Sequence, residues 1–408
     1  MSIEKLSKQL KAKRDRGLLR YEFYEQKQKA RDLGISTPDG LQWFGAVNGW
    51  CTKAVDGLAD RLQFDTFEND NFNFNELFNQ NNPDIFFDDA ILGALITSCD
   101  FVYISRGEDK GDVRFQIIDG TNATGKIDDF TKLLTEGYAV LSRNKDHEVE
   151  TFAYFTPGRT EVYQVGQVDP IAVENFNSSK YCALVPIIYK PDAKRPFGHS
   201  RITRACIDYT RSAMRTLKRT EISAEFYSYP QKYVTGLAQD AELLNSWQAT
   251  MSAMLQFTKD EDGDKPTLGQ FQQGSMAPHV EQLKSLASMF AGETGLTLDD
   301  LGFVTSNPSS AEAIKAAHEG LRLTATKAQR CFGVAFKNVG YLGAIIRDNA
   351  DYKREELFET KATWRPVFEP DAAALGLLGD GVLKLNQALE NGGTFIDAAK
   401  LRRLTGIE

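Results

Sequence analysis

Four cations in a row of five residues on one predicted helix could hold a phosphate or a carboxylate. Arg204, Asp208, Arg211, Arg215 and Lys218 recur at spacings of 4, 3, 4 and 3, so they share a face, and four of the five are cationic. Guanidinium groups in such a row bind anions through charge-assisted hydrogen bonds. A second cluster, Asp260, Glu261, Asp262 and Asp264 around Gly263, has the carboxylate density of a calcium loop. The spacing is wrong for one: the glycine stands at the fourth position, and the twelfth residue is Phe271 where a glutamate is needed. A solvated hairpin turn accounts for it better. His199 and Ser200, with Asp192 nearby, have the residue types of a hydrolase. No Gly-x-Ser-x-Gly elbow accompanies them, and Ser200 is placed to cap a helix. His147-Glu148 and His318-Glu319 do not extend to a zinc-binding His-Glu-x-x-His. No phosphate-cradling glycine loop of either common type is present. The residues therefore predict no enzyme, no cofactor and no metal.

The elements that must carry these groups are legible from periodicity. Residues 1–31 hold ten Lys/Arg against four Asp/Glu and read as a basic helix, either a solvated face or a phosphate- or partner-binding arm. Residues 56–90 reverse the sign, with nine acids and only Arg61 as a base. A second helix is predicted over 41–62, followed by a stretch at 64–87 with seven phenylalanines that reads as a core-packing loop and short helix. After a helix at 88–98, short strands are predicted at 101–105, 114–118, 138–142, 151–156, 161–165 and 184–189, with Asn122-Ala-Thr-Gly as one of the turns between them. This half is α+β.

Beyond Pro186, Pro191 and Pro196 the pattern becomes helical. Ser200 would cap a helix running to about residue 228. A small module at 230–278 follows, with strands near 232–235 and 268–271 around a helix at 241–255, and then a helix at 279–292. A loop at 296–308 leads to Ser309 and Glu312, spaced as a capping box. The helix they open has apolar residues at 314, 317, 321, 325, 328, 332, 335, 339, 342 and 346, every spacing 3 or 4. A strand at 361–368 and short helices at 372–378, 382–389 and 395–404 end the chain.

Composition bounds the function. The 408 residues carry 48 Lys+Arg and 56 Asp+Glu for a net charge of −8, and 42% are hydrophobic. That is core enough to exclude a disordered chain, and too acidic for a dedicated nucleic-acid binder, so any DNA contact must come from local charge. Five scattered cysteines without a Cys-x-x-Cys predict reduced, buried thiols. The longest apolar run, 90–96, is far short of the ~20 residues of a membrane span, and no signal peptide is read at the N-terminus. A soluble intracellular product is expected.

Several strings, in this order and spacing, resemble the portal proteins of long, non-contractile-tail bacteriophages. They are Gly49-Trp50-Cys-Thr-Lys-Ala-Val55-Asp56-Gly-Leu58-Ala59-Asp-Arg61-Leu62, Pro196-Phe197-Gly198-His-Ser200-Arg201-Ile202, Tyr229-Pro230-Gln231 to Gly236, Phe290-Ala-Gly-Glu293-Thr294-Gly295-Leu296 and Asn307-Pro308-Ser309-Ser310-Ala311-Glu312-Ala313-Ile314. The resemblance implies the portal fold: a wing (1–199 and 309–371), a helical stem (200–229 and 279–295), a small α/β clip (230–278), a tunnel loop (296–308) and a short helical crown (372–408).

It further implies a homo-oligomeric ring of twelve at one capsid vertex of the virion, made in the host bacterial cytoplasm. The ring would be a channel for packaging and ejecting double-stranded DNA. Its partners would be the terminase large subunit, a head–tail connector or adaptor, and the major capsid and scaffolding proteins, with no membrane. On that mapping Thr305, Ser306 and Asn307 would touch DNA, with Asp299 and Asp300 repelling phosphate, while Asp260, Glu261, Asp262 and Asp264 form the docking tip of the clip. The stripe Arg204, Arg211, Arg215 and Lys218 would face DNA or a neighbour's acids. The competing reading is an oligomeric cytosolic enzyme of unrecognised type.

Overall fold

The computed structural model describes residues 2–30, 45–109, 111–178, 180–228, 232–235, 267–270, 275–303, 311–368, 372–387, 396–398 and 401. It is α+β. A basic helix α1 (Ser2–Tyr24) and a short α2 (Trp50–Ala59) precede strand β1 (Phe64–Glu68), α3 (Phe74–Asn79) and α4 (Pro83–Thr97). Helix α2 is shorter than its periodicity predicts, because 45–49 are not helical and Val47 is exposed. The phenylalanine-rich stretch is core, as its composition suggests, but it includes a strand that its aromatic spacing conceals. Phe64 on β1 packs on Phe87 at 4.2 Å between ring centroids, and Phe87 meets Phe336 edge-on at 4.7 Å. The Asp70 carboxylate accepts the first two amides of α3 at 2.7 and 2.8 Å, fixing where that helix begins.

Eight antiparallel strands build the two larger sheets. Strand β2 (Cys99–Arg106) lies between β3 (Val113–Ile118) and β9 (Leu184–Ile188). The chain between β3 and β9 forms a five-stranded meander: β4 (Ala123–Ile127), β5 (Leu134–Arg143), β6 (Val149–Thr156), β7 (Arg159–Gln164) and β8 (Ala172–Asn175). Strand β4 occupies the segment whose Asn-Ala-Thr-Gly reads locally as a turn. Its Ala123, Thr124 and Gly125 are buried and pair with Ala139, Tyr138 and Gly137. On the outer face of the meander, Leu6 and Leu10 of α1 pack against Tyr138 and Val140. The basic helix is thus docked on the sheet by its apolar residues, with Lys5, Lys8, Lys11 and Arg16 exposed.

Helices α5 (Arg204–Ser228) and α6 (Ala277–Thr294) pack side by side, and β10 (Lys232–Thr235) pairs with β11 (Thr267–Gln270) between them in sequence. The predicted helix at 241–255 lies outside the described residues. The long periodic segment is two helices, α7 (Ala311–Ala317) and α8 (Glu319–Asp348), broken at His318 with φ −88° and ψ 1°. Apolar spacing continues across the break, yet Ile314 is exposed, so the buried stripe starts only at Leu321. At 1.5 Å per residue, α8 alone spans about 45 Å. It runs under β2 and β9, contacts α3, and meets β12 (Lys361–Trp364), which pairs with β1. A single helix α9 (Ala372–Gln387) replaces the two predicted at 372–389.

Helix α3 sits directly on α8 because Gly340 has no side chain: a Cβ there would lie 2.7 Å from the Phe74 ring. Gly340→Ala should therefore cost stability. Overpacking at about 1–3 kcal/mol exceeds the up to ~1 kcal/mol that alanine gains in a helix interior. A thermal midpoint raised by this change would show that Phe74 moves aside freely.

Four cysteines are buried and Cys331 is half-buried. Burial raises all five thiols, Cys51 and Cys182 to about 12.

Candidate functional site

Residues 196–202 turn the chain from β9 into α5, and nearly every group in the turn is committed. Gly198 has φ +75°, and a Cβ there would lie 2.0 Å from the Tyr189 carbonyl, a position only glycine fills without strain. The His199 amide donates to that same carbonyl at 3.0 Å. The Ser200 hydroxyl donates to the carbonyls of Leu95 and Ile96 at the end of α4, at 3.2 and 2.6 Å. It accepts the Ile202 amide at 3.0 Å. Ser200 is therefore not the helix cap its position predicts. Thr203 takes that place, accepting the Cys206 amide at 3.3 Å and donating to Glu293 at 2.8 Å. Nor does Ser200 act with His199, which pairs instead with Asp192 at 2.6 Å.

Arg201 is 8% exposed and ties three helices together. Its amide donates to the Leu95 carbonyl at 2.8 Å, its Nε to the Ala54 carbonyl in α2 at 3.1 Å, and its Nη2 to the Thr294 carbonyl at the end of α6. The last contact brings a cation to the negative end of a helix. Because the start of α5 and the end of α6 meet here, the two helices are antiparallel.

The cationic row on α5 does not form one surface. Arg204 is exposed, whereas Arg211 lies over the Phe23 ring of α1 at 5.2 Å. Arg215 donates to Ser212 at 3.2 Å, and Lys218 is 6% exposed. Spacing places side chains on a helix face but does not say what covers that face. Thr305, Ser306 and Asn307 lie outside the described residues, as do Asp260, Glu261, Asp262 and Asp264. The part of 296–308 that is described packs into the molecule. Leu296 and Leu301 are buried, and Asp300 accepts the Thr297 amide and hydroxyl at 2.8 and 2.9 Å. Asp300 is thus held by Thr297, and Asp299 beside it is exposed.

What the sequence reading missed is a cleft between α1 and the base of α5, with a volume of about 920 Å³. Six cations, Arg16, Arg20, Lys190, Arg195, Arg204 and Arg211, line it against only two carboxylates, Asp192 and Asp208. Arg20 is held in place by a 2.7 Å bond to the Thr97 carbonyl. Burial, followed by repulsion from Arg16 and Arg195, brings it down to about 10. The signal in the sequence was the basic first segment. What it could not show is that residues near 16–20, 190–195 and 199–211 converge.

Behind the cleft, Lys13 sits over the rings of Phe101 and Phe197 at 5.1 and 5.5 Å. Burial lowers it despite the nearby Asp119 and Asp100. Asp100 is fully enclosed and accepts the Gly120 amide at 2.9 Å and the Thr97 hydroxyl at 3.0 Å. Burial first, then Asp119, push its carboxyl well above the usual carboxylate range. A carboxyl raised in the folded state holds a proton that the unfolded chain has released, so its contribution to stability declines as pH rises above 3.8. For one proton the slope is at most about 1.4 kcal/mol per pH unit. Asp100→Asn should flatten that decline in urea midpoints measured from pH 4 upward. A decline equal to the parent's would show that Asp100 ionises normally.

Among the described residues no group of His, Cys, Asp and Glu is arranged to hold a metal ion. Among them also, no helix is long and apolar enough to cross a membrane. No family profile matches the chain. It is 24% identical over 378 residues to the portal protein of Mycobacterium phage L5, covering 86% of this chain and 75% of that protein. It is likewise 24% identical over 376 residues to the portal protein of Mycobacterium phage D29, covering 86% and 76%. Among solved structures it is similar to a chain of the native gene transfer agent virion and to one of that particle's neck, each at 13% identity and a TM-score of 0.45, covering 88% of this chain and 90% of the other.

Proposed function

We infer that this chain, a homologue of tailed-phage portal proteins, is itself a portal protein and a virion component. The observation that carries the reading is a match to two such proteins that extends along 86% of the chain. The reading gives the chain a structural role in the virion.

The finer assignment follows the resemblance. Twelve copies form a ring at one capsid vertex, with the α5–α6 pair as the stem lining a DNA channel. Residues 230–278 form the clip, where the terminase large subunit and then a head–tail connector dock, and 296–308 form the tunnel loop. The α+β body carrying α8 is the wing, which faces capsid and scaffolding proteins. Support comes from the antiparallel packing of α5 and α6 and from Arg201, which fastens both to the body. A helix pair so held projects from the body as one unit.

Native mass spectrometry of the purified chain tests the reading. A stable assembly at twelve times the chain mass is expected, and a monomer at every salt concentration and pH would overturn it. Deleting residues 260–264 should leave the number of copies per ring unchanged and cut DNA packaging or tail attachment at least tenfold, because a polar, glycine-containing segment can vary without disturbing a core. Loss of the ring on deletion would place the tip in the assembly interface.

A further inference from the structure

Two surface features of opposite charge stand apart from one another on the chain. The first is the cleft at the base of α5. Its rim holds Arg16, Arg195 and Arg204, all exposed and without an ion pair among the described residues, and its floor is apolar, with Leu19 and Ile207. The second lies at the start of α4. Asp84, Ile85, Asp88 and Asp89 are spaced i, i+1, i+4 and i+5, which places them in one compact patch on the helix. Ile85 is 65% exposed at its centre. The three acids make no ion pair among the described residues, and after burial it is Asp89, Asp84 and Asp60 that raise Asp88, so the patch repels itself.

We propose that the cleft of one copy of this chain receives the acidic patch of a second copy, with Ile85 seated on the apolar floor and Asp84, Asp88 and Asp89 facing the arginine rim. An aliphatic anchor ringed by charge is the composition of a well-packed interface centre with a polar rim. The two surfaces cannot meet within one chain. Arg20 at the cleft bonds the last residue of α4, Thr97, while Asp84 is in the first turn, about 20 Å away along the helix at 1.5 Å per residue. Helix α4 is a rigid spacer with an acidic head and the cleft at its foot. A contact joining head to foot is heterologous: it repeats from copy to copy and closes into a ring when the rotation permits. Duplex DNA is the less suited occupant. It needs an extended row of cations along its phosphates, whereas the cleft is a pit and the row on α5 is interrupted by exposed Asp208 and buried Lys218.

The inference rests on the portal reading and names a subunit contact within it. The test uses two full-length triple variants at exposed positions: Arg16→Glu/Arg195→Glu/Arg204→Glu, and Asp84→Lys/Asp88→Lys/Asp89→Lys. Each alone should lose the assembled mass in native mass spectrometry while keeping the parental unfolding transition. An equimolar mixture should regain it, because each variant's cleft then matches the other's patch and the two alternate. Assembly of either variant alone at parental strength overturns the inference and leaves the portal reading standing, and so does a mixture that stays apart. A cleft variant that keeps its assembled mass but no longer retains duplex DNA assigns the cleft to DNA and also overturns it. A parent that never assembles removes both readings. If a triple variant loses its unfolding transition, Ile85→Ser decides: a tenfold or greater rise in the dissociation concentration supports the contact, and an unchanged value overturns it.

Discussion

Arg201→Ala will cost about 3–5 kcal/mol of folding stability and abolish assembly. The guanidinium donates to the carbonyls of Ala54 and Thr294 inside the molecule, and its removal takes a charged donor from both and empties the space that the buried side chain fills. Orphaning one buried polar group costs about 1–3 kcal/mol, and truncating a large buried side chain to alanine costs about 2–5. Against a total of about 5–15 kcal/mol, that is a large share. Arg201→Lys should recover less than half, since a single ammonium cannot span two carbonyls as the planar fork does. Exposed Arg219 on the same helix is the control, with a change to alanine expected to stay within about 0.5 kcal/mol. Urea midpoints of the three variants settle the comparison. Equal losses at 201 and 219 would mean that the junction carries no special share of stability.

The largest effect on function is expected at Thr305, Ser306 and Asn307. A channel wall past which DNA must move cannot read bases, because base contacts would hold one sequence and stall the rest. Lys or Arg there would add counterion-release affinity and grip the duplex. Neutral hydroxyl and amide groups offer backbone hydrogen bonds that break easily, and these three residues follow the anchored turn that ends at Phe303. Changing all three to alanine should leave the ring at its parental mass and reduce packaged DNA at least tenfold. Parental packaging would remove them from the functional site, and failure to assemble would make the segment structural.

Local rules were enough for much of the architecture and failed at identifiable places. The apolar stripe of α8 was legible because its buried face recurs at helical spacing, and strands β2, β3, β5, β6 and β9 because they are short runs rich in β-branched and aromatic residues between turn signals. Strand β4 was not, because its Ala and Gly are depleted in strands and Asn-Ala-Thr-Gly reads locally as a turn, so that pairing with β5 decides it. The break at His318 was hidden by apolar residues that continue into a solvent-exposed turn of helix. For the site, spacing put Arg204 and Arg211 on one face correctly. The cleft they share with Arg16, Arg20 and Arg195 joins residues nearly two hundred positions apart, a distance over which no periodicity speaks.

The burial of the thiols has a consequence for durability. A virion component must persist in air-saturated water, far from any cellular reductant. Oxidation, disulfide exchange and alkylation all proceed through the thiolate. With Cys51 and Cys182 held at about 12 and Cys99, Cys206 and Cys331 also raised, the reactive form is scarce at neutral pH. Packing that serves the fold thereby also makes it resistant to chemical ageing, with no disulfide to form or to lose.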